Sequence, residues 1–130
     1  MLYDGSCGLC HRAVRFVVAR DPQGERFRFA PLSGETARRR VPESARAGLP
    51  DSVVVVDAAG RILTRSEALL HVLWRLGGVW GLLAGAGRIV PRPLRDLAYD
   101  GVARVRRRLC AAPPSACPRL PPALLARFDP

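Results

Sequence analysis

The chain contains no lysine; all 21 of its cationic residues are arginine. Against 11 acidic residues this leaves a formal net charge of +10. Such a balance suits an acidic partner, because guanidinium forks pair with carboxylates and phosphates. It is equally what a coding bias toward Arg, Ala, Gly and Pro produces. Aromatic residues are only 6% of the chain. They are not interleaved with the dense arginine clusters Arg38-Arg39-Arg40 and Arg106-Arg107-Arg108, so no base-stacking surface is expected and no nucleic-acid partner is predicted. No uninterrupted run of about 18 apolar residues occurs, which argues against a spanning helix. No basic, apolar leader precedes Met1-Leu2-Tyr3-Asp4-Gly5, and the expected location is the cytoplasm, where cysteines stay reduced unless they do redox work.

What the 130 residues do contain fits one domain. Hydrophobic residues at 48% and charged residues at 25% exclude disorder outside the proline-rich end. Leu2-Tyr3 ends a first strand, and Asp4-Gly5-Ser6 is turn chemistry. Leu9, Ala13, Phe16 and Val17, with Cys10, Val14 and Val18, recur at helical spacing and predict a helix over 7–20. Phe27-Arg28-Phe29 alternates as a second strand. A weak helix over 35–47 breaks near Pro42. Four consecutive valines in Ser52–Asp57 predict a central strand buried on both faces. The connection Ala58-Ala59-Gly60 pairs it with Arg61–Thr64 as an antiparallel hairpin. Ser66 is the expected N-cap of a helix through Leu76, stopped by Gly77-Gly78. Residues 79–90 are apolar and glycine-rich and read either as a second short helix covering the core or as a surface-seeking segment. The last helix runs from Pro93 to Leu109, with Leu94, Leu97, Ala98, Val102, Val105 and Leu109 as a stripe that suits either a helix docked on the domain, the favoured reading, or one laid on a membrane surface. The predicted order is a βαβ unit followed by a ββα unit. Joined, they form a four-stranded mixed sheet with helices on both faces, the thioredoxin-like α/β order. Residues 1–78 are the expected redox domain, 79–110 a helical extension packed on it, and 111–130 a tail with six prolines.

Cys7-Gly8-Leu9-Cys10 follows a strand and a turn and opens a helix, the context a C-x-x-C redox pair requires. Unpaired N–H groups and the helix dipole favour a thiolate on Cys7, the outer sulfur. Cys10 lies one turn inward and is placed to resolve a mixed disulfide. The pair cycles between dithiol and disulfide with no metal and no other cofactor. Asp4 is either a general base for the Cys10 proton or a turn residue capping the loop. Gly8 and Leu9 fill the variable positions of the motif. His11 and Arg12 add positive potential or lie on a solvated helix face. Pro50, two residues before the valine run, stands where thioredoxin-like sites carry a cis-proline that shapes the substrate groove.

Tyr3-Asp4-Gly5-Ser6-Cys7-Gly8-Leu9-Cys10 resembles the D-x-x-C-x-x-C signature of the DCC family of thiol-disulfide oxidoreductases, also called DUF393. The resemblance covers most of the chain: Phe29-Ala30-Pro31-Leu32, the valine strand with Asp57 and Gly60, Ser66-Glu67-Ala68, Ile89 to Asp96 with Tyr99, and Cys117-Pro118 with Arg127-Phe128. It implies a thioredoxin-like fold defined by Asp4, Cys7 and Cys10, acting on a protein or small-molecule thiol or disulfide.

Other readings remain open on the residues. Cys7-Gly8-Leu9-Cys10-His11 fits c-type haem attachment, but that needs export, and Met1 is the only methionine. Cys110 and Cys117 either complete a zinc site with Cys7 and Cys10, bridge each other, or are inert; their spacing is longer than zinc sites use. Finally, the basic charge and residues 79–90 fit a membrane-surface or partner-binding module with a redox-switch cysteine pair.

Overall fold

The computed structural model describes residues 1–4, 8–49, 53–109 and 126–130. In chain order these form β1 (Leu2–Tyr3), α1 (Gly8–Arg20), β2 (Ala30–Pro31), α2 (Glu35–Arg40), α3 (Glu43–Arg46), β3 (Val55–Val56), β4 (Ile62–Leu63), α4 (Arg65–Leu76), α5 (Gly78–Ile89) and α6 (Arg92–Leu109). The order of helices and strands is the expected one apart from residues 79–90, left open between a short helix and a surface-seeking segment, which form the helix α5. The sheet is smaller than expected. In place of one four-stranded sheet, β1 pairs with β2 in parallel and β3 with β4 antiparallel, as two separate two-stranded sheets. One antiparallel bridge, Leu2 to Val54, joins them. Each strand is two residues long, and Pro31 in β2 has no N–H to extend a ladder.

The valine run alternates as a pleated strand must. Val54 is buried with Leu2, Ala30, Ala37 of α2 and Val41 on one side. Val55 is buried on the other, among Val14, Val17 and Val18 of α1 and Ala68, Val72 and Leu76 of α4. Both faces are therefore covered. Phe27 and Phe29 are buried as the alternation predicts, yet Phe29 bridges to Phe128, and β2 starts one residue later. The Phe29 N–H donates to the Arg127 carbonyl at 2.8 Å, and the Asp129 N–H donates to the Phe29 carbonyl at 2.8 Å. The two rings stack at 5.1 Å. Residues 126–130 thus belong to the folded body rather than to an extended tail.

Arg127 anchors that return. Its guanidinium donates to the Asp21 carboxylate at 2.6 Å and to the Asp21 backbone carbonyl at 2.8 Å, with both side chains buried. Its stem lies 3.0 Å from where a Cβ on Gly24 would stand, and Gly24 has φ +74°, so glycine is needed there for both conformation and space.

α4 and α5 pack closely, since a Cβ on Gly87 would meet Leu70 at 2.8 Å. Phe16 of α1 meets Trp80 of α5 edge-on at 4.9 Å. α6 docks differently from expectation. Its polar face is the one turned to α4: the Ser66 hydroxyl donates to Asp96 at 2.5 Å, Arg92 pairs with Glu67 at 3.1 Å, and Arg65 with Asp100 at 3.6 Å. Leu94, Leu97, Val102 and Val105 are exposed. Ser66 is therefore a tertiary contact. Thr64 holds the N-cap position of α4 and makes no side-chain capping bond. Among the described residues no helix is long and apolar enough to cross a membrane.

Two outcomes follow from these contacts. Arg127→Ala strands the buried Asp21 carboxylate and should cost about 3 kcal/mol, read as a fall in urea midpoint. Arg28→Ala removes the exposed pair with Asp129 and should cost far less. The Ser66 hydrogen bond, followed by Arg92 and Arg65, holds the Asp96 carboxyl below its ordinary value. Its contribution to α6 docking is then fully present above about pH 4 and is lost as pH falls through the lower folded-state value. Amide exchange should report α6 losing protection in acid, and Asp96→Asn should show weakened α6 protection already at neutral pH.

Candidate functional site

Cys10 is the third residue of α1. Its positions i, i+4, i+7 and i+8 are Cys10, Val14, Val17 and Val18, all buried, which is one helical face. The same stripe that seats α1 on the core therefore draws the Cys10 sulfur inward, to 1% exposure. Asp4 directly follows β1 and is half-buried. His11 is half-buried too, its ring meeting Tyr3 edge-on at 6.0 Å, and Tyr3 in turn meets Phe128 at 6.2 Å. Arg12 is exposed. Gly8 and Leu9 are the first two residues of α1. Cys7 and Pro50, and the Cys110 and Cys117 of the zinc reading, lie outside the described residues. Among the described residues no three His, Cys, Asp or Glu side chains gather as a metal site.

Cys10 borders a cavity of about 710 Å³, formed mainly by α1, α4 and α6. This is within the usual range for a ligand pocket. Its walls are Ala13, Phe16 and Val17 of α1, Leu69, Leu70 and Leu73 of α4, and Ala98, Tyr99 and Val102 of α6. Arg12, Arg65 and Arg95 also line it. The structure thus brings Cys10 and Arg12 to one cavity. Sequence reasoning missed the α4 and α6 walls, Arg65 and Arg95. The i, i+4 pairs Leu69/Leu73 and Ala98/Val102 were the available signal, but it marks an apolar face without saying what that face lines. Arg65 has φ +53°, a left-handed conformation that is costly for a side-chain-bearing residue and recurs at functional sites.

A second cavity of about 560 Å³ is bordered by Arg26, Arg28, Arg61, Arg75 and His71. Three of these arginines are engaged within the fold: Arg26 donates to the Leu76 carbonyl at 2.5 Å, Arg28 pairs with Asp129, and Arg61 pairs with Asp57 at 2.7 Å. Hydrogen bonding, first from the Arg61 backbone N–H, holds the Asp57 carboxyl low. Burial lowers the His71 imidazole. These contacts make the second cavity a structural seam around the β3–β4 hairpin.

The family model for DCC1-like thiol-disulfide oxidoreductases matches residues 1–112. The chain belongs to this family. It is 37% identical over 110 residues to the uncharacterized protein YuxK of Bacillus subtilis, covering 82% of this chain and 76% of that protein. It is 33% identical over 106 residues to a chloroplastic DCC family protein of Arabidopsis thaliana, covering 82% of this chain and 61% of the plant protein. No solved structure matches the chain. Membership supports a redox role in general, and the D-x-x-C-x-x-C segment lies within the matched residues.

The burial of Cys10 has a direct readout. In the fully reduced protein, maleimide labelling of Cys10 should be at least about tenfold slower under native conditions than in concentrated urea, because a buried thiol reacts only through opening. Peptide mass spectrometry distinguishes it from the other three cysteines.

Proposed function

We propose that this DCC family member is a thiol-disulfide oxidoreductase that cycles Cys7 and Cys10 between dithiol and disulfide. The observation that carries the reading is the burial of Cys10 on the first turn of α1, on the apolar face of the helix and beside a cavity. A sulfur so placed is poor at meeting a substrate directly and well suited to resolving a disulfide formed on its neighbour in the motif.

Cys7 precedes α1 and is the attacking thiolate, favoured by the N–H groups and dipole of the helix start. It attacks one sulfur of the substrate disulfide; that S–S bond breaks, a Cys7–substrate disulfide forms, and the departing thiolate takes up a proton. Cys10 then gives its proton to the Asp4 carboxylate, attacks the Cys7 sulfur, and releases the second substrate thiol. The chain is left with a Cys7–Cys10 disulfide, which a cellular dithiol reduces in a separate exchange. Run in reverse, the same steps oxidise a client. Pro50, Gly8, Leu9, His11 and Arg12 shape the approach to the sulfurs. The apolar walls and the arginines Arg12, Arg65 and Arg95 suit a client segment that pairs an apolar stretch with an acidic group.

Support for a thioredoxin-like arrangement comes from the Leu2–Val54 bridge. Read through it, the strands run β2-β1-β3-β4, with β3 antiparallel to β1. A cytoplasmic setting fits a pair that must be re-reduced after each turnover.

Thiol trapping across a redox titration tests the assignment. Wild type should show one reversible two-electron couple. Cys10→Ser should accumulate a mixed disulfide with client thiols, and this adduct should vanish in Cys7→Ser/Cys10→Ser. An absent couple, or an adduct that persists without Cys7, overturns the mechanism.

A further inference from the structure

The outer surface of α5 and α6 is inverted relative to a soluble protein. On α5, Val79, Leu82, Leu83 and Ile89 fall at i, i+3, i+4 and i+10, one helical face, and all are exposed, Leu82 at 76% and Ile89 at 84%. The inward side of α5 carries Ala84, which is fully buried, while Arg88 is exposed and sits over the Trp74 ring at 4.8 Å. On α6 the exposed stripe is Leu94, Leu97, Val102 and Val105, while the charged side faces α4. Each of the two consecutive helices turns an apolar side to solvent, the kind of exposure that marks an interaction surface.

We infer that this surface docks, lying flat, on an anionic lipid bilayer. The charge of the region selects that occupant. Residues 79–109 hold seven arginines and two aspartates. Asp96 accepts from Ser66, Asp100 pairs with Arg65 and Arg92 pairs with Glu67, and after these pairings the segment keeps a net positive charge. A second copy of the same chain would bring two such segments together, with +10 on each protein opposing the contact. A surface of anionic headgroups reverses the sign of that term, and apolar side chains flanked by arginine are the composition of helices that lie in the interface plane. No helix among the described residues is long and apolar enough to span. Val102 belongs both to the exposed stripe and to the cavity beside Cys10, so the docked face is continuous with the redox site, although the docking itself stands without the redox chemistry.

The test is co-sedimentation of the full chain with vesicles of equimolar phosphatidylglycerol and phosphatidylcholine, against vesicles of phosphatidylcholine alone. Partition should be at least about tenfold higher on the anionic vesicles at low salt and should fall several-fold in about 0.5 M sodium chloride. Leu82→Glu with Leu97→Glu alters two exposed side chains and should lose about tenfold of the partition. The control, Gln23→Glu with Ala58→Glu, makes the same change in net charge at exposed positions away from α5 and α6 and should lose much less. Circular dichroism should show both pairs folded. Equal partition on the two vesicle types overturns the inference, as does partition that Leu82→Glu with Leu97→Glu leaves unchanged. A dimer in sedimentation velocity that this double variant splits also overturns it, by assigning the face to a second copy.

Discussion

Two backbone hydrogen bonds hold the halves of the fold together. The Leu2 N–H donates to the Val54 carbonyl at 2.6 Å, and the Val54 N–H donates to the Leu2 carbonyl at 3.0 Å. Leu2 belongs to β1, which leads directly into Asp4 and the cysteine segment. Val54 leads into β3, the hairpin and α4. With strands of two residues each, ladder hydrogen bonding is too sparse to fix this relationship by itself. It is fixed by burial on both sides of the bridge, because Val54 and Val55 point to opposite core clusters and a slip of one residue would exchange them. The walls of the cavity beside Cys10 therefore come from elements far apart in sequence, and the register at Leu2 and Val54 keeps α1 and α4 in place around it.

The chain end reinforces the same layer from its other edge. Phe29 takes its backbone partners from Arg127 and Asp129, so the C-terminal residues act as a short extra edge beside β2. A buried ion pair is weak support for net stability, since desolvation offsets most of the attraction. Arg127 and Asp21 instead specify which residues close that edge, because leaving either charge unpaired in the interior costs more than any alternative pairing recovers.

α1, α4 and α6 were legible in the sequence because the 3.6-residue period survives in each of them, and the β3–β4 hairpin because Gly60 and the valine run are local signals. Phe27-Arg28-Phe29 was legible as a buried alternation, but its ladder partner stands about a hundred residues away and no local pattern names it. Ser66 reads as a cap from its neighbours alone; Asp96, 30 residues on, claims its hydroxyl. Hydropathy correctly drew the stripe on α6 and missed its direction. A helical wheel shows which side is apolar, while the ion pairs of Arg92 and Asp100 with α4 and the Ser66–Asp96 hydrogen bond decide which side turns inward. Of the candidate site, Cys10 and its burial could be read from its spacing to Val14, Val17 and Val18. The cavity could not, because it exists only once α6 closes over α4.

The burial of Cys10 also bears on selectivity under the proposed chemistry. A resolving thiol on the surface would exchange with any disulfide that diffused past, and the protein would lose control of its own oxidation state. In the mechanism proposed above, Cys10, held at 1% exposure, would meet only the sulfur that its neighbour in the motif delivers. The second exchange is then intramolecular, and its advantage lies in effective concentration rather than in a special potential. Client choice is accordingly assigned to the surroundings of the outer cysteine and to the cavity walls, and the buried sulfur is free to be unselective. In that mechanism the same packing that stabilises α1 would separate the step that recognises a client from the step that releases it.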